Sequence, residues 1–143
     1  IEGHIATAVG FAEAAGRRVT AVLGDVSLLH DLNSLLLAKA SRTPVVIVVV
    51  NNRGGRIFDR LPVARHPEIA VPWVTTPHAM HFADVARQFG LPYGLATTPE
   101  ELAAGYDAAL AGGESRLLEV ALAPETDLTT FHQIQAVRLK PPA

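Results

Sequence analysis

The most constraining feature of this sequence is a pair of unbroken runs of β-forming apolar residues. The run Val45-Val46-Ile47-Val48-Val49-Val50 follows Pro44, and the shorter run Val19-Thr20-Ala21-Val22-Leu23 ends at Gly24. A strand with one solvated face alternates apolar and polar residues, whereas a strand in a parallel sheet is covered on both faces and is apolar almost throughout. The two runs therefore predict strands of a mainly parallel sheet in an α/β fold.

Polar residues follow each predicted strand directly. Asp25 comes after Gly24, and the pair Asn51-Asn52 comes after Val50. Ligands of open α/β sheets bind outside the carboxyl ends of the strands. Mg²⁺ prefers oxygen ligands and usually combines one or two protein groups with substrate phosphates. We therefore interpret Asp25 and Asn52 as part of a metal–diphosphate anchor.

Two further features support this anchor. A backbone carbonyl at Gly54-Gly55 can approach a metal closely because glycine has no side chain. The main-chain amides of Val26 and Ser27, at the start of the next predicted helix, can face a diphosphate. Aspartate and asparagine also cap helices and form turns, however, so the residue types alone leave a purely structural interpretation open.

Helical patterns alternate with the strands along the rest of the chain, which predicts βαβ units with helices on both faces of one sheet. Ser27 is expected to cap a helix over Leu28–Leu37 whose polar side carries Asp31. Arg53–Thr76 is expected to be irregular apart from a short helix from about Gly55 to Asp59. A last helix is expected from Thr126 to about Arg138. Glu119, inside a predicted strand, is expected to have a structural partner rather than a catalytic task.

Composition narrows the possible partners. The chain has 143 residues, no cysteine and a formal net charge of −2, so nothing indicates nucleic acid or an acidic membrane as a partner. It contains no apolar run near the ~18 residues that a membrane span needs. The absence of cysteine is compatible with the cytoplasmic location that we expect. We predict a single domain over residues 1–143, and the start at Ile1 suggests a C-terminal fragment of a longer multidomain chain.

Taken together, these motifs resemble those of the thiamine-diphosphate enzymes. Gly24-Asp25, a following helix, an apolar strand and Asn51-Asn52 match the family's metal–diphosphate motif, with residues 26–51 between the aspartate and the second asparagine. Within that superfamily, residues 24–33 and 51–58 are similar to the 2-succinyl-5-enolpyruvyl-6-hydroxy-3-cyclohexene-1-carboxylate synthases of menaquinone biosynthesis. Val26 stands where the superfamily more often has glycine.

The resemblance implies a cofactor, substrates and residue roles. Thiamine diphosphate would decarboxylate 2-oxoglutarate, and the resulting four-carbon anion would add to isochorismate. The metal, Mg²⁺ or Mn²⁺, would be held by Asp25, Asn52 and the Gly54 carbonyl. Arg56 is a candidate to bind a substrate carboxylate. The remaining residues implied to face the cofactor or its pocket are Ile1, Val26, Ser27, Ile57, Phe58 and Leu61.

The resemblance also implies that the chain holds half of an active site. The glutamate that activates the cofactor belongs, in this family, to a pyrimidine-binding domain of a partner subunit in a homodimer or homotetramer, so the chain alone is expected to be inactive. Two other functions remain open: another thiamine-diphosphate carboligase or 2-oxoacid decarboxylase resembling acetolactate synthase, and a non-catalytic α/β assembly module. The catalytic residues therefore stay unassigned.

Overall fold

The computed structural model describes residues 2–123 together with Thr130, Gln133 and Ile134. Within these residues the strands are β1 (Val19–Gly24), β2 (Val45–Asn51), β3 (Tyr93–Ala96) and β4 (Arg116–Ala121). The helices are α1 (His4–Ala15), α2 (Asp25–His30), α3 (Leu35–Ala40), α4 (Pro67–Ala70), α5 (Ala83–Gln88) and α6 (Pro99–Ala111). None of these helices is both long enough and apolar enough to cross a membrane.

The described residues form two compact units. The first lies within Ile1–Asn51 and Ala79–Ala121, and the second includes Asn52–His78. The first unit contains a four-stranded sheet in the order β1-β2-β4-β3, in which all neighbouring strands are parallel. Gly24 pairs in register with Val50, so β1 and β2 end at the same edge of this sheet.

Helices cover both faces of the sheet, as the apolar runs predict. Alternate residues of β2 point to opposite faces, because side chains of a strand alternate. Val45, Ile47 and Val49 belong to a core formed with residues of α1, α2, α3 and α5, whereas Val46 and Val48 pack with Ala109 of α6. The prediction of a mainly parallel α/β sheet is confirmed.

The helix predicted over Leu28–Leu37 is wrong as a single element. Asp31 interrupts it with a non-helical backbone, and a 3₁₀ turn over Leu32–Ser34 separates α2 from α3. Asp31 does not lie on a polar side but is buried, and its carboxylate accepts hydrogen bonds from the Ile5 amide (2.7 Å) and the Ser34 hydroxyl. It thereby satisfies an amide in the first turn of α1, which has no side-chain cap at its own N-terminus.

The second unit is more regular than the sequence suggests. Between Asn52 and His78 the chain forms 3₁₀ turns over Arg56–Arg60 and Pro62–Arg65, the short helix α4, and a π-helical turn over Val71–Thr75. The predicted short helix near 55–59 is thus present as a 3₁₀ turn. Pro62 begins the second 3₁₀ turn and Pro67 begins α4. The predicted terminal helix lies outside the described residues, apart from Thr130, Gln133 and Ile134, which are helical.

Candidate functional site

Asp25 begins α2 at the carboxyl end of β1. Gly24 precedes it in an extended conformation, so the chain passes from strand to helix within one residue. The Asp25 side chain is buried at 2% exposure, and its Oδ1 accepts a hydrogen bond of 2.7 Å from the Val26 amide. The helix therefore starts three residues earlier than the predicted Leu28, and the expectation that Ser27 caps it is wrong: Ser27 lies inside the first turn.

At the carboxyl end of β2, Asn51 is held by the first unit. Its side-chain amide is buried and donates to the Met80 carbonyl (2.9 Å) and to Oε1 of Glu119 (2.8 Å). Both donations are made within the unit that carries the sheet. The last residue of β2, which directly precedes Asn52, therefore has a fixed side-chain orientation.

Glu119 is the acceptor at the centre of this cluster and is fully buried in β4. Besides Asn51, its carboxylate accepts from the Phe82 amide (2.8 Å) and the Tyr93 hydroxyl (2.8 Å), and it bonds Nδ1 of His81 (2.9 Å). Burial alone would raise the pKa of Glu119, but these hydrogen bonds outweigh it and hold the pKa below its ordinary value. The cluster thus keeps a buried carboxylate ionised.

The pKa of Tyr93, which donates one of these hydrogen bonds, changes in the opposite direction. Burial and the hydrogen bond to the Glu119 carboxylate raise the pKa of Tyr93, so the phenol keeps its proton and remains a donor. The structural partner expected for Glu119 is confirmed. Sequence analysis missed the identity of the partners; the available signal was an ionisable residue inside an apolar strand, which requires compensation when buried.

In the second unit, Asn52 opens a loop with an unusual backbone. Arg53 has φ +62° and Gly54 has φ +134°, so two successive residues occupy the left-handed half of conformational space. A Cβ on Gly54 would lie 2.7 Å from the Thr75 carbonyl oxygen and 3.2 Å from the Pro77 Cα. The same Thr75 oxygen accepts from the Gly55 amide (2.8 Å). Gly54 is therefore required both by its φ and by the close approach of the 75–77 backbone.

Arg56 is already engaged within this unit. Its guanidinium contacts the Asn52 carbonyl oxygen (3.4 Å) and Oδ2 of Asp59 (3.4 Å), and Oδ1 of Asp59 accepts from the Thr75 hydroxyl (3.1 Å). The Arg56 side chain retains 22% exposure. These bonds connect the loop after Asn52 to the turn that ends at Thr75, so Arg56 has a structural task whether or not it meets a substrate.

The residues proposed to line a pocket are exposed on the second unit. Ile57 is 66% exposed, Phe58 38% and Leu61 48%, so each presents apolar surface to its surroundings. Ile1 lies outside the described residues.

Comparison with known proteins reduces the number of open interpretations. A family model described as "Thiamine pyrophosphate enzyme, C-terminal TPP binding domain" matches residues 2–120, which is most of the chain. The chain therefore belongs to the thiamine pyrophosphate enzymes. Thiamine pyrophosphate (TPP) is another name for thiamine diphosphate. The non-catalytic assembly module is disfavoured by this membership.

Relatives of this TPP-binding domain point to one branch of the family. The chain is 60% identical over 139 residues to the 2-succinyl-5-enolpyruvyl-6-hydroxy-3-cyclohexene-1-carboxylate synthase of Syntrophus aciditrophicus, a match that covers 97% of the chain and 24% of the relative. It is 49% identical over 120 residues to the synthase of the same name from Rubrobacter xylanophilus, covering 84% of the chain and 21% of the relative. The chain thus spans about a quarter of the curated relatives that it matches.

Among solved structures, the TPP-dependent 4-hydroxybenzoylformate decarboxylase of Rhodococcus jostii RHA1 has the same fold, with a TM-score of 0.71 and 27% identity. That similarity covers 84% of the chain and 23% of the decarboxylase. A benzoylformate decarboxylase from Polynucleobacter necessarius, at 22% identity and a TM-score of 0.73, supports the fold alone. The predicted resemblance to the synthase family, and the TPP-binding fold, are confirmed.

Proposed function

We propose that this chain is the C-terminal TPP- and metal-binding domain of a synthase that decarboxylates 2-oxoglutarate and joins the remaining four-carbon unit to isochorismate in menaquinone biosynthesis. The observation that carries the proposal is the 60% identity, over nearly the whole chain, to a synthase of that name. Because the chain corresponds to about a quarter of that relative, the proposal assigns it to one domain of a longer multidomain enzyme. Its 143 residues supply the diphosphate-binding part of the site.

The chemistry of the donor set fits a hard divalent metal. Asp25 supplies a carboxylate, Asn52 an amide oxygen and Gly54 a main-chain carbonyl, which are the oxygen ligands that Mg²⁺ and Mn²⁺ prefer. The hydrogen bond from the Val26 amide orients the Asp25 carboxylate, as bonds outside the ligand set commonly do for metal-binding residues. The positive φ of Gly54 explains why a glycine stands in this set.

Further residues of this chain have roles in the proposal. Ser27, in the first turn of α2, would face the diphosphate together with Val26. Ile57, Phe58 and Leu61 would exclude water from the cofactor or substrate; their exposed apolar surfaces support this role. Ile1 would support the cofactor, and Arg56 would meet a substrate carboxylate if it exchanged its bond to Asp59 for that anion.

TPP, when bound, supplies the decarboxylation and carbon–carbon bond chemistry, and the protein supplies placement and electrostatics. A pyrimidine-binding domain of a partner subunit would contribute the activating glutamate, so the working unit is proposed to be a homodimer or homotetramer in the cytoplasm. The isolated 143 residues are therefore expected to show no synthase turnover. Turnover by the isolated chain would contradict the half-site proposal.

Calorimetric titration of the full-length protein with TPP tests the anchor. We expect binding with Mg²⁺ present and none detectable after chelation, and we expect Asp25→Asn to abolish the Mg²⁺-dependent binding. Asp84→Asn is the matched control, because Asp84 is an exposed side chain of α5 that forms an ion pair with Arg87. Unchanged affinity without metal, or with Asn at position 25, would exclude the proposed metal site.

Substrate choice is tested separately. The full-length protein is incubated with 2-oxoglutarate plus isochorismate, or with pyruvate alone, and products are identified by mass spectrometry. Consumption of 2-oxoglutarate only in the presence of isochorismate supports the proposal. Turnover of pyruvate alone would instead assign the chain to an acetolactate synthase-like carboligase or a 2-oxoacid decarboxylase.

A further inference from the structure

Burial of the Glu119 carboxylate has a high free-energy cost. It is fully buried in β4 between apolar neighbours, and a buried carboxylate costs several kcal/mol unless its oxygens are compensated. Four groups supply that compensation, from residues 26 to 68 positions away in the chain. Well-packed apolar residues commonly replace such clusters without loss of stability. Stability alone therefore gives a weak reason for a carboxylate at this position. The groups that the Glu119 carboxylate orients can indicate another reason.

The groups oriented by Glu119 include the end of β2. Oε1 of Glu119 accepts one of the two protons of the Asn51 side-chain amide, and the Met80 carbonyl accepts the other. Oε2 accepts from the Phe82 amide, which fixes the start of the segment leading into α5. Asn51 is thus held at its side chain by Glu119 and at its backbone by the sheet, where it pairs with Ala121.

We infer that Glu119 and Asn51 are positioning residues for the metal ligand Asn52. The inference rests on the proposed function, since it needs Asn52 to bind the metal. Asn51 and Asn52 share a peptide bond, so the hydrogen bonds on both protons of the Asn51 side chain and the sheet pairing of its backbone fix the residue to which Asn52 is attached. Glu119 never touches the cofactor in this scheme; it reduces the conformational freedom that Asn52 would otherwise lose on binding the metal.

Glu119→Gln tests this positioning with little change in shape. The Gln oxygen takes the place of Oε2, because the Phe82 amide is a backbone donor that cannot reverse. The Gln amide then faces the Asn51 amide, so two donors meet and the hydrogen bond to Asn51 is lost. Tyr93→Phe is the matched control: it removes another hydrogen bond to the same carboxylate but leaves the bond to Asn51 in place.

The measurement is the Mg²⁺ concentration that gives half-maximal TPP binding to the full-length protein, by calorimetry well below the unfolding midpoint of each variant. Glu119→Gln is expected to raise that concentration about tenfold, the lower end of the range for lost support of a metal ligand. Tyr93→Phe is expected to lower the thermal midpoint of the metal-free protein and to leave the Mg²⁺ requirement unchanged. A purely structural cluster would give the two variants the same behaviour.

Four results would overturn the inference. Equal Mg²⁺ requirements in wild type and Glu119→Gln would overturn the inference and leave the proposed function unaffected. Equal shifts in Glu119→Gln and Tyr93→Phe would have the same consequence. If the wild type shows no Mg²⁺-dependent TPP binding, the proposed function fails and the inference fails with it. Should Glu119→Gln not fold, Asn51→Ala keeps the carboxylate with its three other partners and is expected to show the same rise; an unchanged Mg²⁺ requirement there would overturn the inference as well.

Discussion

Replacement of Gly54 by alanine is expected to open the loop that follows β2. Two independent costs act at this position. The residue has φ +134°, a region that L-residues rarely adopt, and the new Cβ would lie 2.7 Å from the Thr75 carbonyl oxygen. Backbone strain of this kind costs about 1–3 kcal/mol and overpacking about as much again, so Gly54→Ala is expected to destabilise the loop by about 2–6 kcal/mol.

Alanine substitutions at two other glycines distinguish the cost of backbone strain from the cost of the steric clash. Gly16, at the end of α1, has φ +62° but open space around its Cβ position, so Gly16→Ala should show a left-handed backbone cost of about 1–2 kcal/mol alone. Gly10 lies inside α1 with open space and no positive φ. Gly10→Ala is therefore expected to stabilise the protein by about 0.5–1 kcal/mol. The effect of one added methyl group on the free energy of unfolding should thus change sign with its position in the fold.

Hydrogen exchange provides the local assay for Gly54→Ala. The Gly55 amide donates to the Thr75 oxygen that the new methyl would displace, so its exchange rate reports opening of this loop. A cost of 2 kcal/mol or more corresponds to exchange about 30-fold faster or more. Urea unfolding of the Gly10 and Gly16 variants provides the comparison. Exchange at Gly55 within about threefold of wild type, a difference below ~0.7 kcal/mol, would refute the steric reasoning.

The remaining predictions concern two of the buried carboxylates, Asp31 and Glu119. Asp31→Asn is expected to cost about 1–3 kcal/mol in urea unfolding, because the Ile5 amide loses a charged acceptor, whereas Asp84→Asn on the surface should change little. Because the folded pKa of Glu119 is lowered, its contribution to stability is fully present above its ordinary pKa of 4.5 and is lost as pH falls through the folded value. Unfolding free energies measured from pH 7 down to pH 3 should therefore fall less steeply in Glu119→Gln than in wild type; identical slopes would contradict this.

Much of the fold was predictable because its signals are local. The apolar runs of β1 and β2 and the spacing of Ile5, Ala8, Val9 and Ala12 on α1 each lie within a few residues of one another. The start of α6 is equally local: Thr98 accepts from the Glu101 amide, and proline occupies the first helical position. In each case the physical cause lies within one turn or one strand, so the sequence pattern contains it.

The errors arise where the cause is a distant partner. Asp31 was expected on a solvated helix face, but its carboxylate reaches the first turn of α1, 26 residues earlier in the chain. That contact breaks the predicted helix in two. The turns between Asn52 and His78 were likewise expected to be irregular, although the Thr75 carbonyl and hydroxyl tie them to Gly55 and Asp59. Helical propensity could not reveal either arrangement, since both depend on contacts outside the window that propensity describes.

The candidate site also combines residues that a local motif reveals with a residue that is distant in the sequence. Asp25, Asn52 and Gly54 are recognisable in sequence because their spacing follows the strand–helix–strand unit that carries them. Glu119 is 68 positions from Asn51, so no spacing rule connects it to the motif. Its place inside an apolar strand was the available signal, since an ionised side chain there must be compensated by donors. Buried charges in predicted strands are therefore positions at which to search for residues that fix the end of a neighbouring strand, as Glu119 of β4 does for Asn51 of β2.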